Sequence, residues 1–359
     1  MAKDTAKPKS KGRVAIIVIV AVLVVLFIAS FVVDKVILDR TYQRQLPRGN
    51  VLSLAFDDYA DEYTRTAVEF TLDGKTLRGY VYGPENNDRG LVVFRHGIFS
   101  EHRDYLAMIM ALVDKGWKVF AYDAIGCGES DGDNVVGMAQ SAVDVHAALQ
   151  FVKESGMAGN LPVALWGHSW GGYGVAAALN YGDDVFACVT MSGFNDPCDI
   201  LYETAERMLG GIGVTQRPTL WLNNKLAFGN NANLTGVDGI NKSGIPVMIV
   251  HGTADTVVRY DTTGIIAQRD RITNDKVTYW IADEEGRDGH NTYFYAPDSY
   301  AYLTQVYAKW GELSERFDGD VPESEARALR DEVDVLRANT ADPMLINAID
   351  EFLASALAA

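Results

Sequence analysis

Residues 14–33 read VAIIVIVAVLVVLFIASFVV, twenty positions with no charge and one hydroxyl, Ser30. No other stretch limits the chain's options so strongly. A helix of that length spans roughly 30 Å, the thickness of a bilayer core. A helix buried in a soluble protein is rarely apolar on every face. The run therefore predicts a transmembrane helix. It exceeds the roughly 7–15-residue apolar core of a cleaved leader, and no A-x-A site follows it, which favours an uncleaved anchor. The first cysteine is Cys127, so no lipid-attachment cysteine accompanies the run.

The charge balance divides around this segment. The chain has 359 residues, with 32 Lys+Arg against 48 Asp+Glu and a net charge of −16. Residues 1–13 carry Lys3, Lys7, Lys9, Lys11 and Arg13 against Asp4, a net of +4 that leaves −20 for the remaining 346 residues. An acidic body disfavours nucleic acid as a partner, because phosphate binding needs basic surface. The basic tip is expected to stay cytoplasmic and the body to lie outside. The far flank opposes this weakly, since Lys35, Arg40, Arg44 and Arg48 stand there beside Asp34 and Asp39. Cys127, Cys188 and Cys198 are too few for a disulfide framework and read as buried thiols; a Cys188–Cys198 bond is allowed but not required.

Residues 34–65 form a polar juxtamembrane segment, and the body, 66–359, alternates strand and helix. Apolar-alternating runs at 67–72 and 76–82 flank Asp73-Gly74, a hairpin signal. Nearly continuous apolar runs follow at 91–95, 117–122, 163–166, 185–191, 247–250 and 277–281, as expected of strands buried on both faces. Helical stretches are expected at about 102–115, 135–154, 171–181 and 260–271. The pattern predicts an α/β fold with a mostly parallel eight-stranded sheet and helices on both faces. Two segments depart from it. Residues 195–244 are too long for an ordinary connection, and such insertions commonly serve as lids. Residues 310–359 form a helical extension, charged at first and ending in an amphipathic helix over 343–357.

The pattern G-x-S-x-G occurs twice, at 128–132 and 167–171. In a nucleophile elbow the serine sits on a strained strand-to-helix turn, so its neighbours must lack bulky Cβ atoms. Ser169 follows the strand LPVALW and leads into the small-residue helix GGYGVAAALN. Ser130 lies in a polar run with Asp131, Asp133 and Asn134, which is loop chemistry. Ser169 is therefore the candidate nucleophile.

A serine hydroxyl needs a base to take its proton. In elbow enzymes the order is Ser, acid, His. Of six histidines only His251 and His290 follow Ser169. Asp255 lies just past the strand that ends at His251, which makes it the candidate acid and leaves His290 as the candidate base. Asp283 and Asp288 are rival acids. His96 and His251 read as shaping strand ends, and His102 as beginning a helix. The backbone amide of Trp170, directly after the nucleophile, is one expected oxyanion donor. The other should come from His96-Gly97-Ile98-Phe99, with Ile98 first and Phe99 second.

Together these residues resemble the α/β-hydrolase superfamily, and within it the serine-hydrolase group of monoacylglycerol lipases, lysophospholipases and serine aminopeptidase-like esterases. The resemblance runs from about Thr66 to His290. It rests on HG at 96–97, YDAIGCGESDG at 122–132, GHSWGG, HGTADTVV and GRDGH. It implies the α/β-hydrolase fold with a lid after the sixth strand, where 195–244 falls. Phe99 stands where monoacylglycerol lipases have glycine, and no HGGG run is present. Ser169 argues against the dehalogenase and epoxide-hydrolase members, which use aspartate.

The expected activity is hydrolysis of a carboxylic ester, lipid-like or with an apolar acyl group, by a membrane-attached enzyme using no metal or organic cofactor. Trp221 and Phe228 in the insertion motivate the apolar preference. Thioesterase, acyltransferase and peptidase chemistry use the same residues and stay open. A non-catalytic binding protein on the same scaffold would be expected to have lost one of the three.

Overall fold

The computed structural model describes residues 11–45, 54–59 and 62–358. Most of the basic tip and part of the 34–65 segment lie outside the described residues.

Helix α1 (Lys11–Thr41) holds the long apolar run. Its most apolar 18-residue window has a mean hydropathy of 3.5, and none of that window is buried within the protein. The length and composition suffice to cross a bilayer. The helix does not end with the apolar run but continues through the first part of the juxtamembrane segment. Nothing there breaks it: Asp34 to Thr41 contains no Gly or Pro, and Lys35 pairs with Asp39 one turn on, at 2.5 Å.

Among the described residues the body has eight strands. β1 (Arg65–Leu72) and β2 (Lys75–Tyr82) form the hairpin, followed by β3 (Leu91–Arg95), β4 (Lys118–Tyr122), β5 (Val163–His168), β6 (Ala187–Met191), β7 (Val247–Gly252) and β8 (Val277–Ala282). Their order across the sheet is β1-β2-β4-β3-β5-β6-β7-β8. β1 and β2 pair antiparallel, β2 meets β4 antiparallel, and every later pair is parallel. β3 to β6 are almost wholly buried, which explains their unbroken apolar character.

Alternate residues feed two cores. Val92, Phe94 and Trp166 face α2 (Leu106–Val113) and α11 (Pro343–Ala358). Val93 and Leu165 face α3 (Gln140–Ser155), α4 (Trp170–Ala178) and α7 (Gly236–Ser243). The segment between β6 and β7 folds as α5 (Pro197–Leu209), a 3₁₀ stretch Gly210–Gln216, α6 (Arg217–Phe228) and α7. The C-terminal helices begin earlier than the charge pattern suggested. α8 (Pro297–Arg316) starts with proline at its first turn, where the missing N–H costs nothing; α9 (Glu323–Glu332) and α10 (Val335–Ala338) follow.

One expected helix is absent. Residues 260–263 form turns, Gly264 bridges to Phe194, and only Ile265–Arg271 coils, as 3₁₀. Gly264 is extended (φ −62°, ψ 150°), and the Asp-Thr-Thr-Gly run before Ile265 consists of weak helix formers. The three cysteines are free and buried.

Candidate active site

The chain passes from β3 to β4 on one side of the sheet, then returns to β5 on the other side of β3. Open α/β sheets have their binding crevice at such a reversal, beyond the carboxyl ends of the strands. The loop after β3 and the turn after β5 meet there.

Ser169 occupies that turn with φ 57° and ψ −116°, a strained conformation for a residue with a Cβ. Its neighbours make the turn possible. A Cβ on Gly171 would lie 2.0 Å from the Arg95 carbonyl oxygen, and one on Gly167 would lie 2.4 Å from that of Gly171. Ser130, the other serine in a G-x-S-x-G pattern, is fully buried. Its Oγ donates to the Asp123 carbonyl at 2.6 Å and accepts from the Arg78 amide at 2.8 Å, so it braces a loop.

The structure brings Ser169, His290 and Asp255 into one line. His290 Nε2 is 2.9 Å from Ser169 Oγ, and His290 Nδ1 is 2.7 Å from Asp255 Oδ2. The other carboxylate oxygen, Oδ1, accepts the amides of Val257 and Val258, each at 2.9 Å. Burial works to raise the Asp255 pKa, but hydrogen bonds from His251 and His290 outweigh it and hold the carboxyl well below its ordinary range. Of the rival acids, Asp288 accepts the Thr253 hydroxyl at 3.1 Å, while Asp255 is the one bonded to His290.

At the β3 loop the two donor candidates separate. The Phe99 amide donates to Gln45 Oε1 at 2.6 Å. Among the described residues no hydrogen bond engages the Ile98 or Trp170 amide, and both residues line cavities that contain Ser169.

Sequence reading gave no role to three further side chains. Gly97 N–H donates to the Tyr105 hydroxyl at 3.1 Å, and Tyr105 in turn meets His168 Nδ1 at 2.8 Å. His168 Nε2 lies 3.2 Å from the His290 carbonyl oxygen. The buried chain thus ties the β3 loop to the His290 loop through the residue preceding the nucleophile. Burial, with His290 nearby, pushes the His168 pKa well below its ordinary value, so the ring is neutral. The third is Gln45, which reaches the site from the segment after α1. Tyr105 and Gln45 carry no local motif, and His168 fills a variable position of G-x-S-x-G; only tertiary placement reveals their contacts.

His96 also stays neutral. It is buried, accepts the Ala124 amide at 2.9 Å, and its pKa falls to about 3 through burial. In the unfolded chain it protonates near 6.5. The folded form therefore binds fewer protons than the unfolded form between those values. The stability contribution is complete above about pH 6.5 and is lost as pH falls toward 3. His168 acts in the same direction. Denaturant titrations should show unfolding free energy falling from pH 7 to pH 4.5; a flat profile would contradict the buried neutral imidazoles.

Two cavities meet at Ser169 and His290. One, about 440 Å³, is walled largely by apolar groups, including Ile37 and Leu38 of α1 and Ile200, Met208 and Leu220 of the insertion. The other, about 310 Å³, is more polar and includes Ser100, Arg103, Asn291 and, from the C-terminal region, Tyr307 and Asn339. Both fall in the size range of small-molecule sites.

The strand order and this crevice are those of the α/β-hydrolase fold. Residues 86–232 match the serine aminopeptidase S33 family, a stretch that includes Ser169 and ends before Asp255 and His290. A solved esterase of Pyrococcus furiosus superposes with a TM-score of 0.51 at 18% identity, covering 76% of this chain and 98% of that one. The chain thus has the α/β-hydrolase fold. Among curated proteins, the polyketide transferase grgF of a Penicillium species is 31% identical over 142 residues, which are 38% of this chain and 48% of that protein. The uncharacterized protein YfhR of Escherichia coli O157:H7 is 25% identical over 205 residues, 55% of this chain and 66% of that protein. The chain therefore spans about half the length of the first and just under two thirds of the second.

Proposed function

We propose that the protein is a membrane-anchored serine hydrolase that cleaves carboxylic esters with apolar acyl groups. The observation that carries this reading is the continuous hydrogen-bonded line from Ser169 Oγ through His290 to Asp255. In the first half-reaction His290 Nε2 takes the Ser169 proton as Oγ bonds to the ester carbonyl carbon. The Ile98 and Trp170 amides hold the oxyanion. The tetrahedral species collapses, the C–O bond to the alcohol breaks, and His290 returns the proton to the departing alkoxide. Water then attacks the acyl-enzyme by the same route and releases the acid and free Ser169. Asp255 holds His290 with Nδ1 protonated and stabilises the imidazolium.

The apolar cavity beside Ser169 supports an apolar acyl group, and α5, the 3₁₀ stretch and the start of α6 form its lid. α1 acts as the anchor, with the basic tip in the cytoplasm and the body on the other side. A chain-length series of p-nitrophenyl esters tests the reading. Medium-chain esters are expected to exceed acetate in kcat/KM by tenfold or more. Higher activity on short charged esters would contradict it.

A second reading keeps the acyl-enzyme but passes the acyl group to an alcohol instead of water. The more polar cavity that also reaches Ser169 favours it, and one relative is named a polyketide transferase. Product analysis with added glycerol separates free acid from a new ester.

A further inference from the structure

The apolar run of α1 and the apolar cavity are not separate features. α1 continues eight residues past Val33, about 12 Å at 1.5 Å per residue, and this continuation supplies Ile37, Leu38 and Thr41 to the cavity wall. The chain then docks on the body. Arg44 donates to the carbonyls of Ser130, Gly132 and Gly128, and Gln45 holds the Phe99 amide.

The insertion is fastened to α1 at the last turn of the uncharged run. Ser30 Oγ donates to Gln216 Oε1 at 2.5 Å, and Asn223 Nδ2 donates to the Phe31 carbonyl at 3.3 Å. Thr219 donates to Asp34 at 2.5 Å, and this contact buries the first charged residue after the run. Gln216, the last residue of the 3₁₀ stretch Gly210–Gln216, therefore sits at the level of Ser30, inside the span of 14–33.

The composition of that stretch matches its position. Residues 208–216 read MLGGIGVTQ, without a charge. Met208 is 69% exposed and Ile212 is 70% exposed. Two large apolar side chains facing water on one uncharged loop have no structural use in a soluble body. Met208 and Leu209 also line the cavity, so the cavity meets the surface at this loop.

We propose that the 208–216 loop is seated in the lipid beside α1, and that the apolar cavity opens there, so that the ester is drawn sideways from the bilayer along α1. This rests on the ester-hydrolase reading above and adds the route and source of the substrate. α1 is then a wall of the substrate channel as well as an anchor, with Ile37 and Leu38 in contact with the acyl chain.

The test uses the full chain reconstituted in phosphatidylcholine vesicles. Hydrolysis of a long-chain fluorogenic ester dissolved in the vesicles is compared with that of a water-soluble short-chain ester. The doubly substituted Ile212→Asp, Val214→Asp protein alters exposed positions only. It should lose at least tenfold on the vesicle-borne ester and less than twofold on the soluble one. Equal losses, or none, on the two substrates would overturn the proposal. A readout independent of activity is a fluorophore on Ile212→Cys, the native cysteines being buried. A lipid-phase quencher should quench it and aqueous iodide should not; the reverse overturns the lipid seating. Wild-type protein inert on both esters would refute the hydrolase reading, while the quenching result would still decide the position of the loop.

Discussion

Replacing Ser169 with alanine is expected to lower kcat/KM for ester hydrolysis by roughly 10⁴- to 10⁶-fold while the protein stays folded. The size follows from the chemistry. Without Oγ no acyl-enzyme can form, and only water held near the Ile98 and Trp170 amides can attack the carbonyl. The fold should tolerate the change. Alanine removes a single oxygen whose hydrogen bond is to His290, and His290 remains held by Asp255 and by the His168 contact at its carbonyl. Combining Ser169→Ala with His290→Ala should cost little more than either alone, because residues that act as a unit are not additive. Additive losses would mean that the two do not act together. Unfolding curves on the same samples separate a chemical loss from a structural one.

The second large effect is expected from Asp255→Asn, at about 10⁴-fold in kcat. The carboxylate oxygen facing His290 accepts from Nδ1 at 2.7 Å, which places the other ring nitrogen free to receive the Ser169 proton. An amide at that position can donate instead, which reverses the tautomer and leaves Nε2 protonated. The other side-chain oxygen would still accept the Val257 and Val258 amides, so the loop should hold its shape. The comparison variant is Asp288→Asn, whose carboxylate bonds to Thr253; its activity should change less than about twofold. A large loss at Asp288 with none at Asp255 would reassign the acid.

Much of the fold was legible because its strands are buried on both faces. Residues 91–95, 163–166 and 185–191 read as strands because short apolar runs are separated there by polar and glycine-rich stretches. Ser169 was legible for a related reason, since the glycine requirement of its turn is written in GHSWGG. Asp255 followed from its place just past a strand end and His290 from chain order after it, and His290 lies within hydrogen-bonding distance of both Asp255 and Ser169.

What escaped was set by contacts distant in sequence. Tyr105 meets His168 across 63 residues, and Gln45 meets Phe99 across 54. Neither pairing has a period or spacing to announce it. The continuation of α1 to Thr41 was obscured by its charges: Lys35 and Asp39 look like the start of a polar linker but are a helical i,i+4 pair. The turn at 260–263 is written only in the weak helix formers Asp261-Thr262-Thr263, and the extended Gly264 after it shows that no helix starts there.

The central claim is that Ser169 is an activated nucleophile, and covalent capture tests it most directly. The full chain, treated with a fluorophosphonate probe at neutral pH and digested, should yield one modified peptide with the phosphonyl group on Ser169. Labelling should vanish in Ser169→Ala and slow sharply in His290→Ala. A modified residue elsewhere, or labelling that persists in Ser169→Ala, would contradict the account.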